Sequence, residues 1–117
     1  MSIENFLFIE GRGYKAGTKT IASDYTVKVG TGANTFHSDR VVIVEDPADA
    51  LTITVPDGLY VGQELLIVFE SNSDSKILTI DGNAAQDSTM NDAGMYQISL
   101  WTGAETGWVV LKESVTG

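Results

Sequence analysis

The residues of this chain that could do chemistry are few, and their spacing argues against most of it. His37 is the single histidine and opens the run His37-Ser38-Asp39, the three residue types of a hydrolytic relay. Neighbouring residues of an extended chain point to opposite faces, so three in a row cannot pass a proton along one line. Ser38 has none of the flanking glycines of a nucleophile elbow. A surface histidine in a loop is the simpler reading. Carboxylates are plentiful: Glu45, Asp46, Asp49, Asp74, Asp81, Asp87 and Asp92. Glycoside hydrolysis needs two of them facing across a cleft, which a small β domain rarely encloses. Asp81, Asp87 and Asp92 are hard oxygen donors of the kind calcium takes, but their spacing matches no calcium loop, so a solvated acidic face is the stronger reading. Gly11-Arg12-Gly13 lacks the third glycine, the acidic partner and the helix of a phosphate-binding turn. The chain has no cysteine, which excludes disulfides, thiolate metal sites and a cysteine nucleophile. No catalytic, cofactor-binding or metal residue is assigned, and the chain is read as a non-enzyme.

Among the aromatic residues, Trp101 lies on the strand face opposite Tyr96, Ile98 and Leu100, which predicts an exposed ring. Together with Tyr60 it could stack on a sugar. Trp108 reads as core, anchoring the last strand.

The elements that must position these residues are strands. Runs rich in Val, Ile, Thr, Phe and Tyr are separated by Gly, Asp, Asn and Ser about every ten residues, and no window holds an apolar stripe of helical period. Strands are expected at 5–9, 18–21, 25–29, 40–44, 51–55, 64–69, 76–80, 95–101 and 108–112. Asp46-Pro47 suits one short helical turn, Pro56-Asp57-Gly58 ends a strand, and Asn72-Ser73-Asp74-Ser75 reads as a hairpin loop. The expected fold is all-β, an antiparallel sandwich or small jelly-roll-like barrel with no long helix.

At 117 residues the chain supports one modest core. Its formal charge is −9, which disfavours nucleic acid because binding phosphate needs clustered Lys and Arg. Residues 1–40 carry Arg12, Lys15, Lys19, Lys28 and Arg40 against Glu4, Glu10, Asp24 and Asp39, whereas residues 41–117 carry Lys76 and Lys112 against twelve acids. We therefore divide the chain into an N-terminal arm or edge-strand segment, 1–40, and a compact β domain, 41–117. The apolar run Phe6 to Ile9 is too short for a signal peptide, and no stretch approaches the roughly 20 apolar residues of a membrane span. A soluble protein made in the cytoplasm, with no membrane partner, is expected.

Leu51-Thr52-Ile53-Thr54-Val55 alternates, as a strand with one wet face should. Val41-Val42-Ile43-Val44 and Leu65-Leu66-Ile67-Val68-Phe69 do not, so both their faces need cover. Self-association would supply it, with Val42, Val44, Leu66 and Val68 as interface candidates; burial under the chain's own loops is the alternative. The glycine-rich segment after Phe6 to Ile9 makes Phe6, Phe8 and Tyr14 candidates for docking on a partner, the alternative being that Phe6 to Ile9 is the first core strand.

Four stretches taken in order resemble small β modules of tailed-bacteriophage virion proteins. They are Leu51-Thr52-Ile53-Thr54-Val55-Pro56, then Gly62-Gln63-Glu64-Leu65-Leu66-Ile67, then Lys76-Ile77-Leu78-Thr79-Ile80-Asp81-Gly82, and finally Gly107-Trp108-Val109-Val110. The resemblance covers about residues 41–112 and is carried by the order of the elements. It implies a non-enzymatic virion protein without cofactor, a homotrimer on the outer capsid surface that binds the major capsid protein and stabilises the shell. A carbohydrate- or receptor-binding fibre module using Trp101 and Tyr60 is the alternative.

Overall fold

The computed structural model describes residues 17–30, 38–82 and 88–114. The expected strand at 5–9 lies outside them. The described residues form nine strands in order: β1 (Thr18–Ile21), β2 (Tyr25–Thr26), β3 (Val41–Glu45), β4 (Leu51–Thr54), β5 (Glu64–Ser71), β6 (Leu78–Asp81), β7 (Ser88–Met90), β8 (Tyr96–Trp101) and β9 (Trp108–Ser114). No helix occurs among the described residues, so the chain is mainly β, and Asp46-Pro47 leads into a bend at Ala48-Asp49 rather than a helical turn. Asp46 takes a left-handed φ of 39° there, a conformation Asp tolerates better than most residues.

The strands form two open sheets, of order β1-β3-β5-β8-β9 and β2-β4-β6-β7. The pairing differs from the all-antiparallel expectation. β1, β3 and β5 run parallel, as do β2, β4 and β6, and only β5-β8-β9 and β6-β7 are antiparallel. From β1 to β6 the chain alternates between the sheets. Thr18 stands beside Val41 and Val41 beside Leu66, steps of 23 and 25 residues, while Tyr25 stands beside Ile53 and Leu51 beside Leu78, steps of 28 and 27. Parallel neighbours need such long crossovers, and here each crossover passes through the other sheet. Asn72 to Ser75 is accordingly no hairpin loop; it carries the chain from one sheet to the other. β1 and β2 belong to the same two sheets as the strands beyond residue 40.

The sheets bury their inner faces in one cluster. Val42, Val44, Leu65, Ile67, Phe69, Trp101 and Trp108 come from the five-stranded sheet, and Leu51, Ile53, Leu78, Ile80 and Met90 from the other. Residues two apart share a face, so Val42 and Val44 point inward with Ile67 and Phe69 beside them in register. Both valines are 0% exposed, which removes them as interface residues between copies. The outward-pointing members of these strands are Val41, Ile43, Leu66 and Val68.

Candidate functional site

The outer face of the five-stranded sheet is apolar over its three central strands, with Thr18 and Thr20 beside it on the β1 edge. Val41, Leu66 and Ile98 lie side by side, as do Ile43, Val68 and Tyr96, and Leu100 stands beside Val109; all are half-buried. Adjacent β-branched and aromatic side chains pack across strands and explain the partial burial. Leu66 and Val68 therefore lie together on this face, apart from Val42 and Val44, while Val41, Ile43, Ile98 and Leu100 extend the patch beyond the residues singled out from the sequence. The missed signal was the pair Gln97 and Ser99: both are buried on the inner face, so the apolar set Tyr96, Ile98 and Leu100 is the outer one. Gln97 is satisfied there by the Ser88 hydroxyl and by donating to Ser99 Oγ at 3.2 Å.

Acids border this face. Glu64, exposed, begins β5, and Glu45 and Glu70, also exposed, sit at the far ends of β3 and β5 where a bulge shifts the register. Sharing a hydrogen bond with Glu70, and lying close to its charge, holds the Glu45 carboxyl above the usual range. Asp46 moves the other way, because the Ser73 backbone N–H and hydroxyl donate to its Oδ1 at 3.0 and 2.9 Å.

At one end of the sheet the loop 56–63 is bolted down. Trp108 Nε1 donates to the Pro56 carbonyl at 2.8 Å, Gly62 N to the Trp101 carbonyl at 2.9 Å, and Trp101 N to the Gln63 carbonyl at 2.8 Å. Buried Gln63 accepts from Leu59 N and donates to the Val29 carbonyl. Trp101 is only 5% exposed, its ring edge-on to Trp108 at 5.6 Å and its side chain against Gly58. The expected exposed Trp101 is thus corrected: its face is the core face, and it cannot stack on a sugar. Tyr60 and Val61 are the large apolar residues of this loop left in solvent, 49% and 71% exposed.

The His37-Ser38-Asp39 run ends in a structural role. Ser38 and Asp39 are buried, and Asp39 Oδ2 accepts the Tyr25 hydroxyl at 2.5 Å and the Lys28 backbone N–H at 2.8 Å. Burial, then the Asp39 hydrogen bond and charge, push the Tyr25 hydroxyl pKa well above its usual value. The Lys19 ammonium lies 5.8 Å from the centre of the Tyr25 ring. His37, Asp87, Phe6, Phe8 and Tyr14 lie outside the described residues.

Among the described residues no group of His, Asp or Glu is placed to hold a metal ion. Between the sheets, Gln97, Ser99 and Trp108 help line a cavity of about 10 Å³, room for one water at most. A shallow groove of about 320 Å³ lies between the turns after β1 and β3, lined by Ala22, Asp24, Ala48 and Asp49. The Asp24 carboxylate is already engaged there by the Thr52 N–H at 2.8 Å. In comparison with known proteins, no family model matches the chain and no curated protein matches it.

Proposed function

We propose that this chain is a non-enzymatic structural virion protein of a tailed bacteriophage, a two-sheet sandwich module that decorates the outer capsid surface as a homotrimer and stabilises the shell. The observation that supports this most is the five-stranded sheet with apolar side chains on both faces. A sheet apolar on its outer face gains by burying it against another surface, and a repeating shell supplies identical neighbours. In this reading Leu66 and Val68, joined by Val41, Ile43, Ile98 and Leu100, form the contact between copies, and Phe6, Phe8 and Tyr14 dock on the major capsid protein.

Light scattering of the purified chain at micromolar concentration tests the self-association. A trimer is expected, and Leu66→Ser/Val68→Ser should give a folded monomer. A wild-type monomer with a cooperative melting transition would overturn the reading. Deleting residues 2–13 should leave a folded oligomer that no longer binds capsids; unchanged binding would assign the docking elsewhere.

A fibre module that binds carbohydrate or a receptor is the second reading, supported by the exposed Tyr60 on its braced loop. A glycan array separates the two: a hit abolished by Tyr60→Ala favours the fibre module.

A further inference from the structure

Outward-pointing residues along β5 follow the order Glu64, Leu66, Val68, Glu70, and those of β3 end in Ile43 and Glu45. The apolar face is stopped by acid at both ends, and the two ends are unlike. Glu64 stands beside Leu100. At the other end Glu70 is the extra residue of the β5 bulge, and it shares a hydrogen bond with Glu45, which two carboxyl groups make only by holding a proton between them. Residues two apart on a strand are separated by about 7 Å, so any surface laid over Ile43 and Val68 reaches this pair.

We infer that self-association through the outer face is proton-linked, with the Glu45–Glu70 pair as its switch: the assembly tightens as the pair takes up protons and loosens as it loses them. The inference rests on the self-association proposed above and adds its regulation.

The charge pattern of the face sets the direction. β3, β5 and β8 contain no Lys or Arg, and the chain as a whole carries −9. Bringing copies together over this face crowds like charges and takes carboxylates out of water, and both effects favour the protonated carboxyl. A neutral pair that satisfies its own hydrogen bond is covered at far lower cost than two carboxylates. Glu45 already holds its proton above the usual carboxyl range, first through the Glu70 hydrogen bond and then through the charges of Glu70 and Asp46. The surroundings supply no cation to reverse this. Asp46 follows Glu45 and is engaged by Ser73, and Asp92 lies in the turn before β8, whose Gly94 N–H donates to the Phe69 carbonyl at 2.7 Å. In the next row Thr20 stands beside Ile43 and Tyr96 beside Val68. Lys112 takes the register position beside Ile98, in the row of Leu66 and Val41, two rows from the pair.

Sedimentation velocity of the full chain between about pH 8 and about pH 5, at constant ionic strength, tests the linkage. The concentration at which wild type assembles should fall about tenfold or more toward the acid end. Glu45→Gln/Glu70→Gln hydrogen-bonds across the pair without needing a proton, at exposed positions that leave the fold intact. It should assemble at the alkaline end as wild type does at the acid end, with its pH dependence lost. Asp57→Ser/Glu105→Gln removes the same number of charges from exposed loop positions and should keep the wild-type dependence. If wild-type association is indifferent to pH, if the dependence persists in E45Q/E70Q, or if D57S/E105Q abolishes it equally, the pair is not the switch, while an oligomer that still breaks on L66S/V68S leaves the proposed self-association standing. A wild-type chain that is monomeric across the whole range overturns both.

Discussion

Gly58→Ala is the smallest change that tests how the loop 56–63 is held. A Cβ at this position would sit 2.3 Å from Trp101 Cγ and 2.6 Å from Trp101 Cβ and Cδ2, distances at which one of the two must move. Gly58 is not in the left-handed region, so the cost is steric rather than conformational. Trp101 has little room to withdraw. Its ring packs edge-on against Trp108, and its backbone N–H and carbonyl are both committed to the loop. Overpacking a core costs about 1–3 kcal/mol, and with a pinned indole the upper end applies. For a domain of this size about 3 kcal/mol lowers Tm by about 10 °C. Thermal denaturation followed by far-ultraviolet circular dichroism reads this directly. Gly62→Ala provides the contrast: nothing lies within 4 Å of its added Cβ, but its φ of 99° is strained for any other residue, so about 1–2 kcal/mol is lost by a different route. Only the steric cost should shrink when the indole is cut down, so G58A/W101L should lose less than the sum of the two single changes. A G58A protein melting within about 2 °C of wild type would refute the reasoning, since no 3 kcal/mol loss could hide there.

Trp108→Phe removes the hydrogen bond to the Pro56 carbonyl while keeping a ring in the core, and should cost about 1–2 kcal/mol by urea denaturation. Phe69→Ala, in a fully buried site, should cost about 3–5 kcal/mol, whereas Leu66→Ser on the outer face should cost the monomer far less. Tyr25 has its pKa raised in the folded state, so its protonated form contributes stability that is complete below the ordinary tyrosine value near 10 and is lost as pH rises beyond it; Tyr25→Phe should flatten that alkaline decline in urea titrations. Asp46 is lowered, so its contribution is present above the ordinary carboxylate range and disappears as pH falls through the folded value, an acid-side slope that Asp46→Asn should remove.

Much of the strand layout was legible because β-branched runs and turn residues are local signals. Thr18–Ile21 is found at its expected bounds, and Leu51 to Val55 shows its core face in its own alternation. The partners of each strand were not legible, because parallel neighbours lie more than twenty residues apart and a four-residue turn looks the same whether it closes a hairpin or carries the chain to another sheet. β7, Ser88–Met90, is too short to announce itself. The misplacement of Trp101 has one cause. Gln97 and Ser99 make the inner face of β8 more polar than the outer, so hydrophobicity alone chooses the wrong side; hydrogen bonds of Gln97 with the Ser88 hydroxyl and with Ser99 Oγ satisfy its buried amide there.

The mixture of short and long pairings also sets an order of events in folding. Trp101 and Trp108 face each other across a seven-residue separation, whereas each parallel pair joins residues 23 to 28 apart. Each doubling of the closed loop adds about 0.6 kcal/mol of entropy, so the β8-β9 hairpin closes with about 1 kcal/mol less opposition than any parallel pair. The kinetic nucleus then belongs to the C-terminal third, and β1 and β2 add last to a template already formed by β3 and β4. Both indoles lie in that hairpin, so tryptophan fluorescence follows the earliest ordered structure and is blind to the closing of the first strands. A chain emerging from the ribosome must hold its N-terminal strands unpaired until the residues that template them have been made.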